Sequence, residues 1–293
     1  MPRILIAGCG YVGEATADHF HGAGWEVDGW TASKDSAEKL SAKPYSTRAV
    51  DISDRDQLSG STEDFDAVIH CASTRGGNVD LYRRVYLDGA GNLVARFTRS
   101  TFLLTSSTSV YAQKNGEWVT EESAAEPQHE TGKILREAED FVFQHGGIVI
   151  RLAGIYGPGR SSLLRKFLAG EARIDAANAR YINQVHRDDI ASALFSLLNR
   201  RIESQMRVDT ERAIFNIADD QPILERECYE WLAARLHRPL PGAMVSRLAR
   251  KRGNSNKRVS NQKLRVLGWE PRYPSFQVGM SESVLPNFER LGA

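Results

Sequence analysis

The chain has 293 residues, 41% of them hydrophobic and 26% charged, with a formal net charge of +1. That length carries one large domain or two modest ones around a real core. The near-zero charge excludes a globally basic surface made for nucleic acid or an anionic membrane. The chain opens MPRILIAGCGYVG, whose glycines interrupt the apolar run, so no signal peptide is expected. Residues 4–7 read as a strand and about 13–23 as a helix. Residues 25–31 and 48–50 are the next strand candidates. An apolar run covers 67–72, helical spacing covers 81–99, and 101–106 is another strand. Pro127 stands where a helix begins, so 128–144 is predicted helical, ended by Gly146-Gly147. Residues 148–152 form one more buried strand.

Strands that alternate with helices and are apolar throughout are covered on both faces. The predicted fold class is therefore α/β, a doubly wound parallel Rossmann-type sheet. Beyond Gly154 the pattern loosens, with isolated helices at 161–169, 188–198, 225–236 and 245–250. These suggest a smaller C-terminal substrate-binding cap made of 156–183 and 218–293. Residues 1–155 form the dinucleotide-binding domain, with 184–217 returning to it. No run of about 18 apolar residues exists to span a bilayer. The three cysteines, Cys9, Cys71 and Cys228, are odd in number and far apart. They argue against a disulfide framework and for a reducing cytoplasm, and no cluster has metal-ligand spacing.

Gly8-Cys9-Gly10-Tyr11-Val12-Gly13 is a GxGxxG turn between a strand and a helix, the context a dinucleotide site requires. Gly8 allows the tight turn, Gly10 the approach of a pyrophosphate, and Gly13 close helix–strand packing. The helix start supplies N–H donors and a positive dipole. No carboxylate stands at the expected tip of the second strand to grip a ribose 2′-OH. Thr31, Ser33 and Lys34 occupy that place, and Ser33 and Lys34 can hold a 2′-phosphate. NADP is therefore preferred over NAD, with a solvated loop as the alternative. Asp51 can accept from an adenine amino group and Ile52 can cover its ring; Asp51 as a plain turn residue is the other reading.

The segments GCGYVG, VDISD, FDAVIHCAS, LLTSSTSVYA, RLAGIYGPGR, INQVHRDDIASAL, FNIADDQP and NKRVSNQKLRVLGW follow in order along nearly the whole chain. Together they resemble the extended short-chain dehydrogenase/reductase family, also called the NAD-dependent epimerase/dehydratase family. The resemblance implies cofactor contacts at Gly8, Gly10, Tyr11, Val12 and Gly13, at Cys71, Ala72 and Ser73, and at Lys133 and Tyr156. It places Ser107 as the residue that polarises the substrate oxygen. Three departures stand out. The turn is GxGxxG rather than GxxGxxG. Tyr86 occupies the position of the family's helical Asn. The family YxxxK falls on His129-Glu130-Thr131-Gly132-Lys133, so His replaces Tyr. This marks an atypical member.

Four residues apart on a helix, His129 and Lys133 would share one face. An imidazole titrates near neutrality unaided, and an adjacent ammonium favours its uncharged form. His129 is then a base that takes a proton from an alcohol, while His129 at lower pH, Tyr111 or Tyr156 supplies the proton in the reverse direction; Tyr86 restores a phenol from the neighbouring helix or is simply packing. The expected function is an NAD(P)-dependent oxidoreductase acting on a small or sugar-like alcohol or carbonyl. The alternatives are a sugar epimerase/dehydratase and a non-catalytic NADP(H)-binding sensor. The partner is a small molecule, sugar-like or anionic, met by Arg160, Arg165, Lys166 or the basic run Arg247-Leu248-Ala249-Arg250-Lys251-Arg252 through Lys257-Arg258. No nucleic acid and no membrane is expected, and the resemblance implies a homodimer. His186 is placed at the edge of the site, and Asp188 and Asp189 as anchors of the cap.

Overall fold

The computed structural model describes residues 1–59, 63–74, 76–175, 179–203, 213–243 and 255–291. The expected helix at 245–250 and residues 247–254 of the basic run lie outside them; at the end of that run Lys257 is buried and donates to Tyr111 O at 2.9 Å, and Arg258 donates to Gly116 O at 2.7 Å. Seven strands form one sheet: β1 (Arg3–Ala7), β2 (Glu26–Thr31), β3 (Ser46–Ala49), β4 (Ala67–His70), β5 (Thr101–Ser107), β7 (Ile148–Leu152) and β11 (Ile214–Ile217). Their order is β11-β7-β5-β4-β1-β2-β3, and every neighbouring pair is parallel. Three short pairs stand apart from it. β6 (Glu117–Val119) pairs with β13 (Lys257–Val259), β8 (Gly154–Tyr156) with β10 (Gln184–His186), and β9 (Tyr181–Ile182) with β12 (Ile223–Leu224).

Alternation along β1 shows how the sheet is covered. Ile4 and Ile6 point into one core with Ala17 and Phe20 of α1 (Tyr11–Gly22). Ile190, Ala193 and Leu194 of α8 (Arg187–Glu203) join them. Leu5 and Ala7 point the other way, onto Ala90 and Leu93 of α5 (Gly89–Arg96) and Ala138 and Val142 of α6 (Glu130–Gln144). Each fully buried Leu or Ile contributes about 1.5–3 kcal/mol. A strand that is apolar on both faces thus has no exposed side to present, which is why the sheet is parallel and interior.

A third apolar cluster is built only from residues beyond 155. It joins Leu163, Leu164 and Phe167 of α7 (Ser162–Leu168) to Cys228, Tyr229 and Leu232 of α9 (Glu225–Leu236) and to Phe276, Met280 and Val284. Asp189 ties the α8 start to this region by accepting from Arg272 N at 2.7 Å and Tyr273 N at 3.1 Å.

The long helix expected at 81–99 is divided. It starts earlier, as α4 (Val79–Tyr82) capped by Asn78, passes through a π-helical turn at Arg83–Asp88, and resumes as α5. A π turn holds one extra residue, so a strict 3.6 period cannot continue through it.

Candidate functional site

In this sheet the chain goes from β1 outward to β2 and β3, then returns to β4 on the other side of β1. Ligands of doubly wound sheets bind beyond the strand ends at such a switch point. The glycine turn stands there. Gly8 has φ +100°, and a Cβ on it would lie 2.2 Å from Ala72 N and 2.7 Å from the Cys71 carbonyl carbon. A Cβ on Gly13 would lie 2.2 Å from Gly8 O. Gly8 N and Cys9 N both donate to Trp30 O, at 2.9 and 2.7 Å, which fastens the turn to β2. The backbone is thus folded back on itself, with Gly10 as the N-cap of α1 and no side chain over the helix end. The first-turn amides of a helix have no acceptor within it. These glycines and donors fit the diphosphate of a dinucleotide.

The rim of this cradle is more committed than the sequence suggests. Thr31 Oγ1 donates to Ser33 O at 3.0 Å, and Ser33 Oγ caps α2 (Lys34–Glu38) by accepting from Ser36 N. Lys34 is exposed. Asp28 is buried inside β2 and paired with Arg48, so it offers nothing to a ribose. Asp51 Oδ1 accepts from Ser53 N and Oγ, a turn role that occupies one carboxylate oxygen. Ile52 is 6% exposed and packs below Gly89, so little of it is available to an adenine ring. Just past β4, Cys71 is half-buried, and burial pushes its thiol up to about 12, so it is no nucleophile.

Ser107 ends β5 and begins a 3-10 turn at Thr108–Val110, where its Oγ accepts from Ser109 N at 3.1 Å. Its own O–H remains to donate outward. His129 differs from expectation: α6 starts at Glu130, and His129 is the extended N-cap residue with φ −98° and ψ 144°. Its carbonyl accepts from Gly132 N and Lys133 N, while its exposed ring makes no cap hydrogen bond. Lys133 is on the helix, exposed, and bonds Glu130 Oε1 at 2.6 Å. The Lys133 N to His129 O bond, at 3.0 Å, sets His129 one turn before Lys133 at the helix start. The loops that carry Ser107 and His129 are joined through Lys114 Nζ to Gln128 Oε1 at 3.3 Å and Gln113 Nε2 to Ala124 O at 2.9 Å.

Three tyrosines expected near the chemistry make packing and hydrogen-bond contacts of their own. Tyr111 has no exposed surface; its hydroxyl donates to Asn216 Oδ1 at 2.9 Å and accepts from Arg151 at 2.8 Å. Burial raises its phenol further, so it is a structural group. Tyr156 is equally buried in the third cluster, with its hydroxyl against Gly279 and Ser275 O. Tyr86 lies in the π turn, its ring stacked 6.2 Å from His70 at 8°. His186 is also interior: Nδ1 accepts from Asp188 N, which leaves Nε2–H to donate to Ser283 Oγ at 2.9 Å. Of the basic residues expected to meet an anionic substrate, Arg165 pairs with Glu171 at 3.5 Å and Lys166 is exposed.

A buried polar chain behind Ser107 escapes a sequence reading. Ser106 Oγ donates to Glu139 Oε1 at 2.6 Å, and Arg151 grips the same carboxylate through Nε and Nη2. Asn216 N donates to Glu121 Oε1 at 2.7 Å, and Lys257 Nζ to Tyr111 O at 2.9 Å. A Glu inside the apolar stripe of α6 and an Arg inside the run Ile148–Leu152 are the signals that point to it.

Burial also pushes His70 and His186 down to about 4. Both fold as neutral rings, so their contribution is present above the unfolded value near 6.5 and is lost as pH falls from there through 4. Thermal melts should show the melting temperature falling several degrees over that window. His70→Gln, which keeps a donor for Val85 O, should lessen the fall. An unchanged slope would remove His70 from the account.

A model of the NAD dependent epimerase/dehydratase family matches residues 4–205. The chain is 30% identical over 211 residues to Protein YeeZ of Escherichia coli strain K12, an alignment covering 68% of this chain and 73% of that protein. A solved structure from Methylobacillus flagellatus, described as a candidate NAD-dependent epimerase/dehydratase, is 25% identical. It superposes with a TM-score of 0.80 over 98% of this chain and 99% of the other. A UDP-glucose 4-epimerase from Thermotoga maritima, solved with UDP-glucose, shares the fold at 17% identity, with a TM-score of 0.80 and all of both chains covered.

Proposed function

The chain belongs to the NAD-dependent epimerase/dehydratase family, and on that premise we propose that it is an NAD(P)-dependent oxidoreductase acting on a small or sugar-like alcohol or carbonyl. The observation that carries this reading is Ser107, at the C-terminal edge of the sheet, whose Oγ accepts from Ser109 N and so keeps its O–H available to donate. Gly8, Gly10 and Gly13, with the Tyr11 and Val12 amides, would hold the dinucleotide diphosphate, beside Cys71, Ala72 and Ser73. When bound, the nicotinamide gives or takes hydride. Ser107 donates its hydrogen bond to the substrate oxygen, and the unengaged His129 ring accepts the hydroxyl proton. Lys133 reaches a ribose only after releasing Glu130. Residues 156–183 and 218–293, around the third apolar cluster, serve as the substrate cap. The absence of a free carboxylate on β2, where Asp28 is held by Arg48, favours NADP.

The test is turnover over a panel of sugar-like and small alcohols with each dinucleotide. Ser107→Ala should lower kcat by about 10²-fold or more, the usual loss of a polarising donor. His129→Ala should lower it by about 10²–10⁴-fold and remove the basic limb of its pH–rate profile. Full activity in His129→Ala would end its role as base. Tight dinucleotide binding without turnover on any substrate would favour the sensor reading, to which the position of His129 outside the helix lends support.

A further inference from the structure

Tyr11 is the first residue of α1, directly after the N-cap Gly10. Its hydroxyl donates to Pro158 O at 3.0 Å, which fastens the loop after β8 onto the glycine turn. Two guanidiniums approach its ring, Arg160 at 5.2 Å and Arg187 at 5.0 Å from the centroid. They come from separate elements, the loop after β8 and the first residue of α8. The helices α1 and α8 run side by side, with Phe195 edge-on to His19 and Phe20 at 5.0 and 5.2 Å, so both N-termini lie at one end. Contact is close: a Cβ on Gly157 would lie 2.7 Å from the Tyr11 hydroxyl and 3.3 Å from Arg187 Cβ.

The charges at this point do not balance. Arg187 Nε donates to Asp188 Oδ1 at 3.0 Å, which leaves its two terminal nitrogens. Arg160 is exposed, and none of the ion pairs among the described residues engages it. Burial pushes the Tyr11 phenol up to about 12 although both arginines pull it down, so the ring stays neutral and supplies no counterion. Two cations held against one aromatic ring, with a single carboxylate paired to Arg187, leave an excess of positive charge for an anion.

Resting on the cofactor reading above, we propose that Arg160 and Arg187 form a clamp, with Tyr11 as its shared platform, that binds the diphosphate of a nucleotide ligand at the glycine turn. The chemistry is bidentate guanidinium to phosphoryl oxygen. It can serve the dinucleotide's own diphosphate or that of a nucleotide-sugar substrate. Tyr11, at the first helical position, favours the former.

Calorimetric titrations separate these sources. The probes are ADP-ribose, adenosine, and UDP-glucose in the presence of saturating NADP. The double variant Arg160→Ala/Arg187→Ala should bind ADP-ribose at least tenfold more weakly and lose much of its salt dependence, while adenosine binding stays as in the wild type. The unchanged adenosine affinity also shows that the variant is folded. Arg160→Lys should recover part of the loss. A loss confined to UDP-glucose supports the clamp and assigns it to the substrate. Unchanged affinity for both diphosphates overturns the clamp and leaves the cofactor reading intact. A wild-type protein that binds neither ADP-ribose nor NADP overturns both.

Discussion

Arg151→Met is expected to destabilise the protein by about 3–5 kcal/mol and lower its melting temperature by roughly 10 °C. The Arg151 side chain is 2% exposed and that of Glu139 is fully buried. Arg151 reaches both Glu139 oxygens, at 2.7–3.2 Å, and covers the Tyr111 ring at 4.8 Å. Without the guanidinium, the carboxylate keeps Ser106 and the partly exposed Arg136. A buried charge short of its partner is costly, whereas a buried ion pair replaced whole by apolar groups often is not. Arg151→Met/Glu139→Leu should therefore recover a good part of the loss. Denaturant melts of the two single variants and the double one measure this coupling. A double variant less stable than Arg151→Met would show that the network is not what holds the two residues. Because Ser106 precedes Ser107, the single variant should also loosen the strand end that carries the proposed polarising hydroxyl.

The glycine turn is legible in the sequence because its chemistry is local. A strand, a turn with positive φ and a helix start all lie within a dozen residues, and only Gly satisfies them. The seven-stranded sheet is legible for the same reason, through apolar runs that need no partner to be seen. The site beyond it is not. Pro127 reads as a helix's first residue, yet a Cβ on Gly132 would lie 2.5 Å from Pro127 Cβ, so the proline packs on the first turn from outside it. The helix then opens at Glu130, whose charge suits a helix start. That shift makes His129 the N-cap residue rather than a residue inside the helix. Tyr111 follows a serine-rich strand as it does in the family, but the 3-10 turn after Ser107 sends its ring inward to Arg151. The third apolar cluster joins segments more than 100 residues apart, from Tyr156 to Leu285, and no local period records such pairing.

Gly8→Ala should weaken dinucleotide binding by about 100-fold or more, equivalent to ~2.8 kcal/mol at 1.4 kcal/mol per tenfold. The reason is steric and local. At φ +100° an L-residue is strained, and the new methyl would meet Ala72 N at 2.2 Å, Ala72 Cα at 2.4 Å and the Cys71 carbonyl carbon at 2.7 Å. All three are backbone atoms between two strands, so none can turn aside as a side chain does. The turn must lift away from β4, which moves the first amides of α1 from the switch point. Gly10→Ala separates this effect from stability. Its φ of −104° is outside the left-handed region that strains Gly8→Ala, so a melting curve shows whether the fold holds while a methyl stands where the diphosphate approaches. Gly22→Ala, at the far end of the same helix with nothing within 4 Å of its Cβ, should bind like the wild type. If Gly10→Ala melts like the wild type and binds NADP and NAD as tightly, the diphosphate does not approach over this turn.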